Sequence, residues 1–175
     1  MFRIFYSVKS FRIGYGGFGE MAVGIGFGPL IVLGSYYVQA QILPFRIFLI
    51  SIPVGILIAL VVFINEFPDY LADKSAGKRT IVVRLGKKNA MVLYHILLVS
   101  VYAAIVFLVI FKFLPVASLI VFLSLPLTIK AFTVSRKNFD KVYELLPANA
   151  STIGLHMAIG ALLSIGIALD RILCA

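Results

Sequence analysis

Five apolar runs, each about as long as a bilayer is thick, leave this chain few folds to choose from. They are Glu20 to Val38, Arg46 to Ile64, Asn89 to Phe111, Leu114 to Thr133 and Ser151 to Leu169. About twenty apolar residues cross the hydrocarbon core as one α-helix, whose backbone groups are all satisfied within the segment. A soluble domain could not absorb them. The chain is 62% hydrophobic, against roughly half in water-soluble domains, and its mean hydropathy is +1.08. The fold class expected is an all-α membrane protein of about five transmembrane helices, with residues 1–175 forming a single membrane domain. Gly24, Gly26, Gly28, Pro29, Gly34, Pro53 and Gly55 punctuate the first two runs. In a membrane such residues permit kinks and close helix approach.

The net charge of +9 does not indicate a nucleic-acid binder, because the cations are gathered in particular connections rather than spread along one surface. With the N-terminus in the cytoplasm, thirteen of the sixteen cations fall inside, among them Arg3, Lys9, Arg12, Lys130, Arg136, Lys137 and Lys141. Arg46, Lys112 and Arg171 are left outside. The positive-inside rule therefore sets the orientation, and the expected location is the cell membrane. The lone cysteine, Cys174, excludes an internal disulfide.

Polar chemistry concentrates in one stretch, residues 65–88, which this topology makes a cytoplasmic aspartate-rich loop. Its sequence, NEFPDYLADKSAGKRTIVVRLGKK, holds three of the seven acidic and six of the sixteen basic residues. Asp69 and Asp73 are four apart; if Pro68 opens a helical turn, both carboxylates share a face, with Asn65 one turn back. Such a pair suits Mg²⁺, which keeps waters and takes further oxygens from a phosphate ligand. Lys74, Lys78 and Arg79 supply the charge needed by a metal-bridged diphosphate. A solvated loop that begins a helix at Asp69 accounts for the spacing of the aspartates equally well.

The longer pattern is more specific. Asp69, Asp73, Ala76, Gly77, Lys78 and Thr80, running into IVVRLG, resemble the second aspartate-rich motif of the UbiA superfamily of intramembrane prenyltransferases. Asn65 fits as well, whereas the EFP that follows it replaces the more usual polar residues. Upstream, Tyr6, Gly17, Gly19, Glu20, Phe27, Gly28, Pro29, Gly34, Tyr36 and Tyr37 resemble a region of the 1,4-dihydroxy-2-naphthoate prenyltransferase branch. Glu20, read by itself, is a helix-capping acid; the resemblance makes Glu20 and Tyr6 acceptor-side candidates. His95 and His156 lie within apolar runs, where a bond to a neighbouring helix is the default expectation. Asp140 and Glu144 are expected on one solvated helical face among lysines.

The resemblance implies a nine-helix bundle with two aspartate motifs facing each other, of which this sequence carries the second, so it reads as the C-terminal part. It further implies Asp69 and Asp73 as metal ligands and, with Lys78, as catalytic residues. Lys74, Lys78, Arg79 and Asn65 would bind the diphosphate. The implied cofactor is Mg²⁺, and the implied partners are a polyprenyl diphosphate, an aromatic acceptor, the bilayer and an N-terminal half carrying the first motif. The function expected is prenyl transfer to 1,4-dihydroxy-2-naphthoate in menaquinone biosynthesis. Two alternatives are transfer to 4-hydroxybenzoate, chlorophyllide, haem or a glycerol phosphate lipid, and a noncatalytic membrane subunit whose basic loop binds anionic lipid.

Overall fold

The computed structural model describes residues 17–173. Tyr6, the three N-terminal cations and Cys174 lie outside the described residues. Five helices are long and apolar enough to cross a membrane: α1 (Gly19–Ala40), α2 (Phe45–Ser75), α3 (Ile81–Ile110), α4 (Val116–Asn138) and α5 (Val142–Leu173). The described residues contain no strand. α2 stands at the centre, packing on α1, α3 and α5, while α4 closes the far side against α3 and α5. The core lies where α2, α3 and α5 meet, around Leu60, Phe63, Ile64, Tyr94, Leu98, Leu155 and Ile159.

Glycine and hydroxyl side chains join these helices. A Cβ on Gly28 would come 2.4 Å from the Cα of Gly55, and one on Gly24 would come 3.0 Å from the Gly55 carbonyl. α1 therefore meets α2 backbone to backbone, as the glycine pattern led one to expect. α1 reaches this crossing through a π-helical turn, Gly26–Leu30, that contains Pro29. On the other side α3 is stapled to its neighbours by hydrogen bonds. Tyr94 Oη lies 2.6 Å from Thr152 Oγ1 of α5, and Tyr102 Oη lies 2.7 Å from both Ser124 and Thr128 of α4. His95 Nε2 bonds Ser135 Oγ at 2.9 Å, as expected of a membrane histidine, whereas the buried Nδ1 of His156 has no partner. Lipid offers no hydrophobic drive between helices, so close packing and such bonds supply the association.

Helices α2 to α5 all overrun their apolar runs, α2 and α5 the furthest. α2 does not stop at Ile64, nor does Pro68 open a separate turn; the helix continues through Asn65, Pro68, Asp69 and Asp73 to Ser75. Its 31 residues span about 46 Å at 1.5 Å each, well beyond a hydrocarbon core of about 30 Å. About three turns of it are thus in excess of the length needed to cross that core. Pro68 lacks the N–H that would bond the Ile64 carbonyl. Asn149 Nδ2, from α5, approaches that carbonyl at 3.5 Å. α5 likewise begins at Val142 rather than Ser151, with Pro147 and Asn149 inside it. Asp140 and Glu144 do not share a helical face: Asp140 lies in the turn before α5, 3.8 Å from Lys87, and Glu144 pairs with Lys141 at 2.9 Å.

Candidate functional site

The C-terminal end of α2 is closed by a glycine. Gly77, at φ +70°, donates its N–H to the Lys74 carbonyl, and Lys78 donates its N–H to the Asp73 carbonyl. This is the Schellman arrangement, in which a left-handed residue just past the helix satisfies the last carbonyls. Its consequence is positional. The reversal brings Lys78 back over the residue it has bonded, and Lys78 Nζ meets Asp73 Oδ1 at 2.6 Å. A glycine followed by a lysine, four and five residues after an aspartate, thus has a geometric reason: one ends the helix and the other neutralises the carboxylate beneath it.

Asp73 is buried at 6% exposure while Asp69, one turn earlier, faces solvent. Asn65, a further turn back, is exposed, and its Oδ1 accepts from Asn149 Nδ2 at 2.7 Å. Asn149 is itself buried, and its Oδ1 has no donor. Lys74 and Arg79 are exposed. The Tyr70 ring lies between two cations, with Lys74 Nζ at 5.8 Å and Lys87 Nζ at 5.5 Å from its centroid. The aspartate face of α2 is therefore bordered by ammonium groups from both sides of the turn.

The chain leaves this turn through a second helix start. Thr80 is the N-cap of α3, its Oγ1 accepting the Val83 N–H at 3.4 Å. The first helical segment is short, because Gly86 at φ 73° breaks the helix before it resumes into the membrane. Onto this segment comes Glu20 from the start of α1. Its side chain is 3% exposed, and Oε1 accepts the Ile81 N–H at 2.9 Å. Gly17, at φ +77°, sits so close to the Arg79 carbonyl that a Cβ there would be 2.2 Å away. Glu66 of α2 lies near Glu20, and its buried Oε2 has no hydrogen-bond partner among the described residues. The two sequence regions singled out above, around Glu20 and around Asp69, are in this way one construction.

Glu66 and Asn149 are the residues the sequence reading passed over. A third acid inside the aspartate stretch was a visible signal for the first. Nothing local distinguishes Asn149, which matters only because the overrunning α5 carries it to Asn65. Below Glu20, an apolar hollow of about 160 Å³ is lined by Met21, Ile56, Ala59, Phe63, Ile81 and Leu97. It adjoins a second of about 260 Å³ along the seam of α1 and α2, sharing Met21, Ile56 and Ala59.

Among the described residues no three His, Cys, Asp or Glu side chains form a metal cluster. What α2 presents fits a weaker and more open mode. Asp69 is free to turn toward solvent and Asp73 has one oxygen on Lys78, which leaves carboxylate oxygens one turn apart for an ion that completes its shell with water and phosphate.

Five helices long and apolar enough to cross a membrane, with no strand among the described residues, define an all-α integral membrane protein. A family model, the UbiA prenyltransferase family, matches residues 1–163, and the chain belongs to that family. Over 161 residues it is 30% identical to a 2-carboxy-1,4-naphthoquinone phytyltransferase of Synechocystis sp., an alignment covering 92% of this chain and 52% of that protein. It is 32% identical to a 1,4-dihydroxy-2-naphthoate octaprenyltransferase of Bacillus subtilis, covering 93% of this chain and 52% of that one. The protein of the same name in Escherichia coli is 35% identical, over 79% of this chain and 45% of its own length. The chain thus spans about half the length of the curated relatives it matches. No solved structure matches it.

Proposed function

We propose that this chain forms one wall of an intramembrane prenyltransferase that moves a polyprenyl group from its diphosphate to 1,4-dihydroxy-2-naphthoate, a step of menaquinone biosynthesis, in the cell membrane. The observation that carries the reading is the end of α2, where Asp69 and Asp73 stand one turn apart and the Gly77 turn lays Lys78 over Asp73. Names of relatives that act on naphthoate compounds support the acceptor.

In this reading Asp69 and Asp73 would hold the Mg²⁺ that accompanies the donor's diphosphate. The ion would supply positive charge to the leaving diphosphate. Lys78, which pairs with Asp73, would also meet a phosphate oxygen, and the exposed Lys74 and Arg79 would supply further positive charge. Asn65, fixed by Asn149, offers an amide on the same face. Charge that develops on a leaving group is met best by groups already in place, because no reorganisation is then required during the reaction. The apolar hollows running from Glu20 along α1 and α2 suit the isoprenoid chain and keep water from the allylic cation, and Glu20 with Tyr6 marks the acceptor side. The ring carbon of the acceptor would form the new bond to the allylic carbon and lose its carboxylate as CO₂, while the diphosphate leaves with the electron pair of the broken carbon–oxygen bond. The opposing wall, with the first aspartate motif, comes from transmembrane helices outside these 175 residues.

The test is Asp69→Asn and Asp73→Asn in the assembled enzyme. Loss of one charge-stabilising group at a reacting centre lowers the rate by roughly 10² to 10³. Both variants should fold, retain their helical content and lose Mg²⁺-dependent turnover by about that factor. Near-normal turnover in both would return this stretch to an ordinary cytoplasmic connection.

A further inference from the structure

A third hollow, of about 740 Å³, lies among the last turns of α1, the first turns of α2, the end of α5 and Pro115 just ahead of α4. Arg46, which lines it, and Asp73 are near opposite ends of α2, about 40 Å apart at 1.5 Å per residue. The aspartate pair and this hollow therefore lie at opposite ends of the bundle. Past its glycine crossing with α2, α1 contains no buried residue from Ile31 to Ala40. It lines the hollow with Ile31, Val32, Ser35, Tyr36 and Gln39, the spacing of one helical face.

Three helices arrange their lining residues in the same order. Toward the end of α1, Ile31 and Val32 give way to Ser35, Tyr36 and Gln39; toward the end of α5, Ile167 gives way to Asp170 and Arg171. α2 runs the other way and begins with Arg46, followed by Ile47 and Ile50. The hollow is thus apolar in its depth and polar at its mouth, where the apolar runs of α2 and α5 end and a bilayer places its head groups. Two guanidinium groups stand there with one carboxylate, an excess of one positive charge. Arg46 Nε donates to the Phe113 carbonyl at 2.7 Å, which anchors the side chain and leaves its two terminal nitrogens. Among the described residues Arg171 is in no ion pair. Of the three cations that the topology puts at this end, Arg46, Lys112 and Arg171, two line this one hollow.

We propose that the hollow is a binding site for an anionic phospholipid, phosphatidylglycerol, whose phosphodiester is met by Arg46 and Arg171 and whose acyl chain follows the isoleucines of α1, α2 and α5. A guanidinium fork matches phosphate oxygens, and one phosphodiester balances the excess charge. Asp170 and Gln39 suit the hydroxyls of a glycerol head group, whereas a second phosphate would be repelled by Asp170. A free phosphate would use the mouth alone; a lipid uses the mouth and the depth together. The site is independent of the prenyl-transfer reading.

The experiment is native mass spectrometry of the 175-residue chain released from nanodiscs of phosphatidylglycerol and phosphatidylcholine in equal parts, alone and together with helices bearing the first aspartate motif. Phosphatidylglycerol should stay bound in both preparations. Arg171→Gln, which breaks no hydrogen bond among the described residues, should lower its affinity roughly tenfold, the scale of a lost charge-assisted hydrogen bond. Arg46→Gln should do the same; should that variant lose helical content with its Phe113 bond, Arg171→Gln decides alone. Lys112→Gln should leave affinity unchanged, which separates a built site from diffuse attraction to an anionic surface. Glycerophosphoglycerol, the head group without its chains, should not compete even in large excess. Native affinity in Arg171→Gln, an equal loss in Lys112→Gln, equal retention of phosphatidylcholine, or displacement by the free head group each overturns the proposal. So does lipid held by the chain alone and expelled when the opposing helices join, the result expected of a seat for protein.

Discussion

At the scale of single residues, Lys78 carries two duties that are separable by substitution. Removing its ammonium leaves Asp73 buried without its 2.6 Å partner and takes one cation from the diphosphate. Lys78→Ala should raise KM for the donor by roughly tenfold or more, the scale of a lost charge-assisted hydrogen bond; steady-state kinetics at saturating acceptor checks it. Lys78→Arg should recover only part, because a planar fork does not replace a compact ammonium on one oxygen. Asn149 makes a different prediction. Asn149→Leu keeps the volume but leaves Asn65 Oδ1 and the Ile64 carbonyl without their donor. Asn65 is exposed and can turn to water, but the Ile64 carbonyl is buried, and an unsatisfied buried polar group costs roughly 1–3 kcal/mol, so thermal unfolding in detergent should show a loss in that range.

The helices themselves were legible because hydropathy is a local property: five apolar runs became five helices at the expected places. Their ends were not. Past Ile64 the sequence turns polar, but a polar stretch can continue a helix into water, and Pro68 is tolerated where α5 brings a side-chain donor to the carbonyl it leaves. Gly77 and Thr80 did carry readable stop and start signals, and between them lies the whole turn that places Lys78. What no local pattern contains is the meeting of Glu20 with Ile81, which depends on how α1 leans on α2. That packing predicts its own variant. A Cβ at Gly55 would come 2.8 Å from the Gly24 carbonyl, so Gly55→Leu should pry α1 from α2 and expose the Ile81 amide to exchange. Gly34, with nothing within 4 Å of its Cβ position, should accept leucine without effect.

For the whole molecule, the positive-inside rule predicts an orientation. With thirteen of sixteen cations on one side of the map, a tag inserted near Ser75 should be reached only from the cytoplasm and one near Gln41 only from outside. Labelling of intact cells decides between this arrangement and its inverse. The described helices present Asp69, Asp73, Lys74, Lys78 and Arg79 at one end of the bundle, and an ionising diphosphate has to be met from several directions in a site closed to water. The proposed reading therefore requires a second wall. The decisive measurement is reconstitution of the 175-residue chain in lipid with Mg²⁺, a polyprenyl diphosphate and 1,4-dihydroxy-2-naphthoate, alone and together with helices bearing the first aspartate motif. Prenylated naphthoate should form only in the combined preparation and should disappear with Asp69→Asn. Robust product from the chain by itself, or none from either preparation, would contradict the account.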